Sequence, residues 1–214
     1  MYHFLPEELK AILEKHARWL REEEGGECII WENRDLAYQE GLSQVDLRRA
    51  RLKEVGLGGT NLANTDLAGA DLESACMSGT NLHCTDFTRA NLTHADLTRA
   101  DLFSAHLMEA DLTGACLANA RLIGADLIKA NLTDAFLMKA DLSGANLSDA
   151  NLTNANLVQA TLKGANLTRA VLVNARLTQA MLNEANFENA DLTGADFTSS
   201  FRVFTNFNGA KNPP

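Results

Sequence analysis

The chain is poor in many of the features that mark enzymes, membrane proteins and secreted scaffolds. It has three prolines, two tryptophans and two tyrosines in 214 residues. No apolar run approaches the roughly 20 residues that span a bilayer as a helix, so no membrane association is expected. The opening MYHFLPEELK lacks both a basic n-region and an apolar stretch of signal-peptide length. The expected compartment is therefore the cytoplasm. The four cysteines, Cys28, Cys76, Cys84 and Cys116, are irregularly spaced and form no CxxC pair. They read as free thiols rather than as a disulfide framework or a zinc site. No GxSxG, HExxH, phosphate-binding loop or dinucleotide fingerprint occurs, so no cofactor is expected. A basic stripe is missing too. Net charge is −9; residues 1–41 hold ten acidic against five basic side chains, and the remainder eighteen against fourteen. Direct nucleic-acid binding is not expected from such a balance.

What the chain has instead is a period of five. At positions ending in 2 or 7 from 42 to 197, 32 in all, 28 are Leu and the others are Met77, Phe87, Phe187 and Phe197. Two residues before nearly every centre stands a small residue, Thr or Ala at most early repeats and Ala at all 22 positions from Ala90 to Ala195. Asp or Asn usually precedes the centre, and Thr is common after it. Gly or Asn recurs one residue further on, as at Gly69, Gly124, Asn154 and Gly194, where tight turns often need positive φ. Five residues of α-helix advance about 500°, so the leucines would spiral around the axis. On a flat strand an odd repeat sends alternate leucines to opposite faces. The leucines share one side only if the chain turns a corner once per repeat, and four right-angled corners close a coil of 20 residues. Burying one leucine contributes roughly 1.5–3 kcal/mol, whereas fixing five backbones costs about 5–10 kcal/mol. Stacking of coils must supply the difference.

The A(D/N)LXX pattern, as in ADLSG ANLSD ANLTN, resembles that of the pentapeptide-repeat family and covers about four-fifths of the chain. The resemblance implies an all-β solenoid, a right-handed quadrilateral β-helix whose centres and small residues point inward. Thirty-four repeats with centres from 42 to 207 make about eight and a half coils, a rod on the order of 40 Å long. The expected organisation is a helical cap and lead-in over 1–41, the β-helix over 42–207 and a tail over 208–214. In the cap, Pro6, Glu7 and Glu8 suit a helix start and Gly25-Gly26 a stop. Leu9, Ile12, Leu13, His16, Trp19 and Leu20 fall on one helical face, to pack on the first coil or to bind a partner. Asp35-Leu36 reads as a repeat displaced by one residue. At the far end Arg202 stands where a leucine belongs, among Phe197, Phe201, Phe204 and Phe207. This cluster either plugs the last coil or makes a two-fold homodimer contact, as the resemblance to some family members implies.

Positions 20 apart stack, so the faces can be unrolled. One face carries Asp46, Asp66, Asp86, His106 and Asp126, then Asn146, Asn166, Asn186 and Asn206. Its acidic column is either plain consensus or a site for a basic partner or cation, because like charges about 5 Å apart repel unless matched. A second face presents Cys116, Ala118, Phe136, Met138 and Val158 where polar residues are usual, with Phe103 and Ile123 on the next face round. Large apolar groups at polar positions suggest a contact patch, against the alternative of neutral variation. His83, Cys84, Asp86 and His106 are the best grouping for metal or thiol chemistry, but they lie on a convex surface. His3 and His94 are isolated. The expected function is that of a non-catalytic scaffold in a bacterial cytoplasm, binding an unidentified protein through a side face. The resemblance also implies an alternative, a DNA-mimicking inhibitor of a type II topoisomerase such as gyrase, with an enzyme as the remote third reading.

Overall fold

Residues 4–214 are described by the computed structural model; His3 lies outside them. The single helix, α1 (Pro6–Leu20), begins with Pro6 in its first turn, followed by Glu7 and Glu8. The Glu8 carboxylate accepts the Leu5 N–H at 3.0 Å, one of the donors a helix start leaves unpaired. Beyond it Gly26 is obligatory, since a Cβ there would lie 2.3 Å from the Trp19 nitrogen. No helix is long and apolar enough to cross a membrane among the described residues.

From Ile30 onward the chain is a four-sided β-helix. Each side contributes one parallel bridge to the side 20 residues later: Asp46 to Asp66, Asp66 to Asp86, His106 to Asp126, and so on to Asn186 with Asn206. The repeat centred on Leu67 shows how the backbone is satisfied. Asp66 donates to the Val45 carbonyl (2.9 Å), Leu67 to Asp86 (2.7 Å), Gly69 to Thr88 (2.9 Å) and Ala70 back to Leu67 (3.0 Å). The fifth donor, Ala68 N–H, goes to the Asp66 side chain at 3.0 Å. All five N–H groups therefore find acceptors, as buried or half-buried backbone requires. The second residue after each centre takes positive φ, whether glycine (Gly69, +66°) or not (Arg89, +59°).

The interior is a column of Leu and Ala. Every centre from Leu42 to Leu192 and every alanine from Ala90 to Ala190 is at most 2% exposed. Where Thr replaces Ala in the early coils, its hydroxyl donates to a carbonyl of the preceding coil. Thr65 reaches Leu42 at 2.7 Å and Thr85 reaches Leu62 at 2.8 Å, so the buried oxygen is satisfied.

The ladder extends past both expected boundaries. Ile30 pairs with Arg51 and Asp35 with Gly56, each 21 residues apart, because Leu36 and Leu42 are separated by six residues. The extra residue is taken up around Gly41, at φ +78°, and Trp31 and Leu36 are buried like later centres. The first coil thus begins near residue 30, inside the segment expected as cap and lead-in, and Asp35-Leu36 is a repeat displaced by one residue. Asp191 pairs with Lys211, so the last coil reaches into 208–214.

Helix α1 closes the first coil. Leu9 and His16 are buried, with Ile12 and Leu13 packed beside them. His16 Nδ1 accepts the Ile29 N–H at 3.1 Å, which makes Nε2 the protonated nitrogen, donating to the Arg48 carbonyl at 3.0 Å. Its ring stacks on Trp19 at 5.5 Å, and the Arg49 guanidinium covers that indole at 4.9 Å. At the other end Phe187, Phe197 and Phe207 form an aromatic plug, with Phe187 and Phe207 stacked at 5.2 Å and Phe197 edge-on to both. Arg202 occupies the terminal centre above Leu182 and is exposed. A hydrated guanidinium there discourages another coil from stacking.

Candidate interaction surface

The acidic column is structural first. The Oδ1 atoms of Asp46, Asp66, Asp86 and Asp126 accept the N–H groups of Arg48, Ala68, Thr88 and Ile128 at 2.8–3.2 Å. Asp46 also pairs with the Arg48 guanidinium at 2.6 Å. Partial burial, aided by the charges of Asp46 and Asp86, raises the Asp66 carboxyl above its usual range. Partial burial opposes ionisation of Asp46 as well, but its bonds to Arg48 prevail and hold that carboxyl low. The asparagine half of the face hydrogen-bonds along the stack: Asn166 donates to Asn146 and Ser148, and Asn206 to Asn186.

His83 is held by Asp101 (Nε2 to Oδ2, 2.8 Å) and rests on the Phe103 ring at 5.4 Å. Asp101 in turn takes Arg121 at 2.6 Å. His83 is thus engaged within its own face rather than with Cys84, Asp86 or His106. No group of three His, Cys, Asp or Glu side chains is placed to hold a metal among the described residues.

The apolar departures form a raised patch. Cys116 and Phe136 are bridge partners in successive coils, with Ala118, Met138 and Val158 alongside. Phe136 is 52% exposed and Met138 43%, while Cys116, Ala118 and Val158 are half-buried. Cys116 Sγ lies 3.2 Å from Thr98 Oγ1. Phe103 (exposed) and Ile123 (half-buried) stack on the adjoining face. Met108 and Ile128 continue the patch round the next corner; they carry the same signal, a large apolar residue after the centre, that marked the others.

Phe136 costs the fold something. Its neighbour Asn156 accepts the Val158 N–H at 3.2 Å, but Phe136 has no acceptor to offer. Among the described residues the Met138 N–H finds no partner. Restoring one such bond is worth about 0.5–1.5 kcal/mol. Phe136→Asn is therefore expected to raise stability by that amount, a gain of a few degrees in Tm, measured by thermal unfolding.

A sequence model of pentapeptide repeats matches in eight copies, in segments that together run from residue 42 to residue 209. The chain belongs to the pentapeptide-repeat family. Among solved members, HetL from the cyanobacterium Nostoc sp. strain PCC 7120, a pentapeptide repeat protein involved in heterocyst differentiation regulation, is 29% identical. The match covers 97% of each chain with a TM-score of 0.34. QnrB1, a plasmid-mediated fluoroquinolone resistance protein, is 20% identical over 86% of this chain and 91% of its own, with a TM-score of 0.57; that likeness is one of fold. A pentapeptide repeat protein of the Arabidopsis thaliana thylakoid lumen is 34% identical over 44% of this chain and 63% of its own, with a TM-score of 0.34. No curated protein matches. In this chain the side faces carry exposed apolar residues before the centre at Phe136 and also at Val171, Met181 and Phe201.

Proposed function

We propose that this pentapeptide-repeat protein is a non-catalytic scaffold that binds a protein partner through the flank bearing Phe136 and Met138. The observation that carries the reading is an exposed aromatic that replaces a backbone-capping Asp or Asn at a cost to the fold. Partly exposed aromatic and Met side chains on a rigid surface are the usual anchors of interfaces. A rod braced by a hydrogen-bond ladder loses little freedom on binding, which favours affinity. The side faces are convex, without the inserted loops that make catalytic clefts. Arg89–Glu109 (2.8 Å), Arg121–Asp101 (2.6 Å) and Arg169–Asp149 (2.7 Å) pair opposite charges on or between successive coils. Such pairing breaks up the negative field a duplex mimic needs, so contact through the apolar flank is favoured. All four cysteines are free, two of them exposed, in keeping with a reducing cytoplasm.

Affinity capture from the native host tests the reading. Wild-type protein is expected to retain a partner that Phe136→Asp and Met138→Asp each release by at least about tenfold, roughly the loss of one interface anchor. Equal capture by wild type and both variants would remove the patch from consideration.

A further inference from the structure

The two ends of the rod are complementary to each other, and this complementarity is independent of the side flank. Between α1 and the first coil lies a groove of about 840 Å³ lined by Leu9, Leu13, Tyr38 and Val45. Glu14 and Glu40 stand at its rim, with Lys10. Neither glutamate has an ion-pair partner among the described residues, whereas Asp46 nearby is matched by Arg48. At the opposite end Phe201, Val203 and Phe204 are 61%, 57% and 87% exposed. Arg202 stands among them and makes no ion pair among the described residues.

Both surfaces present an exposed aromatic at a corner of the coil, Phe204 on the tip and Tyr38 in the groove. Phe204 sits at a corner with the positive φ, +58°, that every repeat shows there. Among the described residues nothing covers its ring. Tyr38, in the groove, is held in the same left-handed conformation at φ +60°, its ring lying over Gly59, where a Cβ would come within 2.3 Å. An apolar tip carrying an unmatched cation at one end of the molecule thus complements an apolar groove at the other, whose rim is net acidic, with Glu14 and Glu40 outnumbering Lys10.

We infer that the C-terminal tip of one copy docks into the groove beneath α1 of a second copy, joining rods head to tail. The occupant is fixed by charge: the tip supplies Arg202 to Glu14 and Glu40, and its phenylalanines fill the apolar floor. A heterologous contact of this kind leaves one tip and one groove free in every dimer, so growth continues into rings or filaments.

Sedimentation velocity over a concentration series tests this. The wild-type protein is expected to grow beyond dimer as concentration rises. Phe204→Glu, which destroys the tip, and Leu13→Glu, which destroys the groove, are each expected to be monomeric. Mixed in equal amounts, they are expected to form a pair that grows no further, because one intact groove meets one intact tip. Because Leu13 is partly buried and its replacement strains the cap, Glu40→Lys at the exposed rim serves as a second groove variant. It is expected to weaken association at least tenfold with an unchanged circular dichroism spectrum, and Arg202→Glu on the mixed partner is expected to restore it. A wild-type protein monomeric throughout would overturn the inference. So would a Leu13→Glu or Glu40→Lys variant that still dimerises while Phe204→Glu does not, since that pattern marks a two-fold tail-to-tail contact. A mixture that stays monomeric would overturn it as well.

Discussion

Leu137→Asp is expected to unfold the rod, while Met138→Asp, one residue along, leaves it folded. Leu137 is fully buried in the column of centres, whereas Met138 is 43% exposed. A carboxylate at position 137 would meet the apolar side chains of the coils above and below, with no hydrogen-bond donor in reach. The penalty exceeds the roughly 4–5 kcal/mol that marks the severest single substitutions, a large part of the 5–15 kcal/mol that typically holds a domain folded. Truncation to Leu137→Ala would still cost about 2–5 kcal/mol. In a solenoid each coil is supported only by its neighbours, so a break at this mid-rod position separates two shorter stacks. Met138→Asp replaces an exposed side chain and is expected to change stability by no more than about 0.5 kcal/mol. Denaturant titration followed by circular dichroism checks both. Equal loss in the two variants would contradict a chain that turns once every five residues.

The fold was almost wholly legible because one physical constraint is repeated at every pentad. The centre and the small residue two before it each have a single task in the coil, and the pentad recurs thirty-four times from centre 42 to centre 207. The ends were less legible, for a local reason. A single extra residue between Leu36 and Leu42 moved Trp31 and Leu36 out of the arithmetic register, although the bridges to Arg51 and Gly56 keep both segments in the ladder. The corner residue was legible only in part. Gly and Asn announce positive φ, but Arg49, Lys129 and Glu184 adopt it too, held there by the hydrogen bonds of the coil rather than by their own preference.

The surface was harder to read because one residue type serves two purposes. An aspartate before a leucine is indistinguishable in sequence whether it caps its own backbone or awaits a partner. The bonds from Asp66 to Ala68 and from Asp86 to Thr88 assign these side chains a structural task. The exceptions are more informative than the rule. Phe136 forfeits that bond and Phe204 puts an aromatic ring at a corner, and both rings stay exposed. Where local consistency is broken without a gain in packing, function is the usual reason.

The N-terminal cap is expected to be the acid-sensitive part of the molecule, through His16. Burial, the largest influence, pushes its imidazole below the ordinary value of 6.5; the hydrogen bond to the Arg48 carbonyl and the nearby Asp46 charge work the other way, and the Arg48 charge adds to the lowering. The neutral ring is also the one the geometry requires, because Nδ1 must keep its lone pair to accept the Ile29 N–H. In the unfolded chain the same histidine takes up a proton as pH falls through 6.5, while in the folded protein it resists. The unfolded state therefore binds more protons across this window, and stability declines as pH drops from 6.5 towards the depressed folded value. The slope is at most about 1.4 kcal/mol per pH unit for one proton. Above pH 7 the contribution is fully present and flat. Asp66 has the opposite sign: its raised carboxyl recovers stability on acidification, but only at lower pH, in the carboxylate range above its ordinary 3.8. His16→Leu should abolish the decline between pH 7 and pH 5.5. It should also lower stability at pH 7.5 by about 2–4 kcal/mol, since it strands the buried Ile29 N–H and Arg48 carbonyl. Denaturant melts of both proteins at a series of pH values would show this, and parallel pH profiles for the two would remove His16 as the cause.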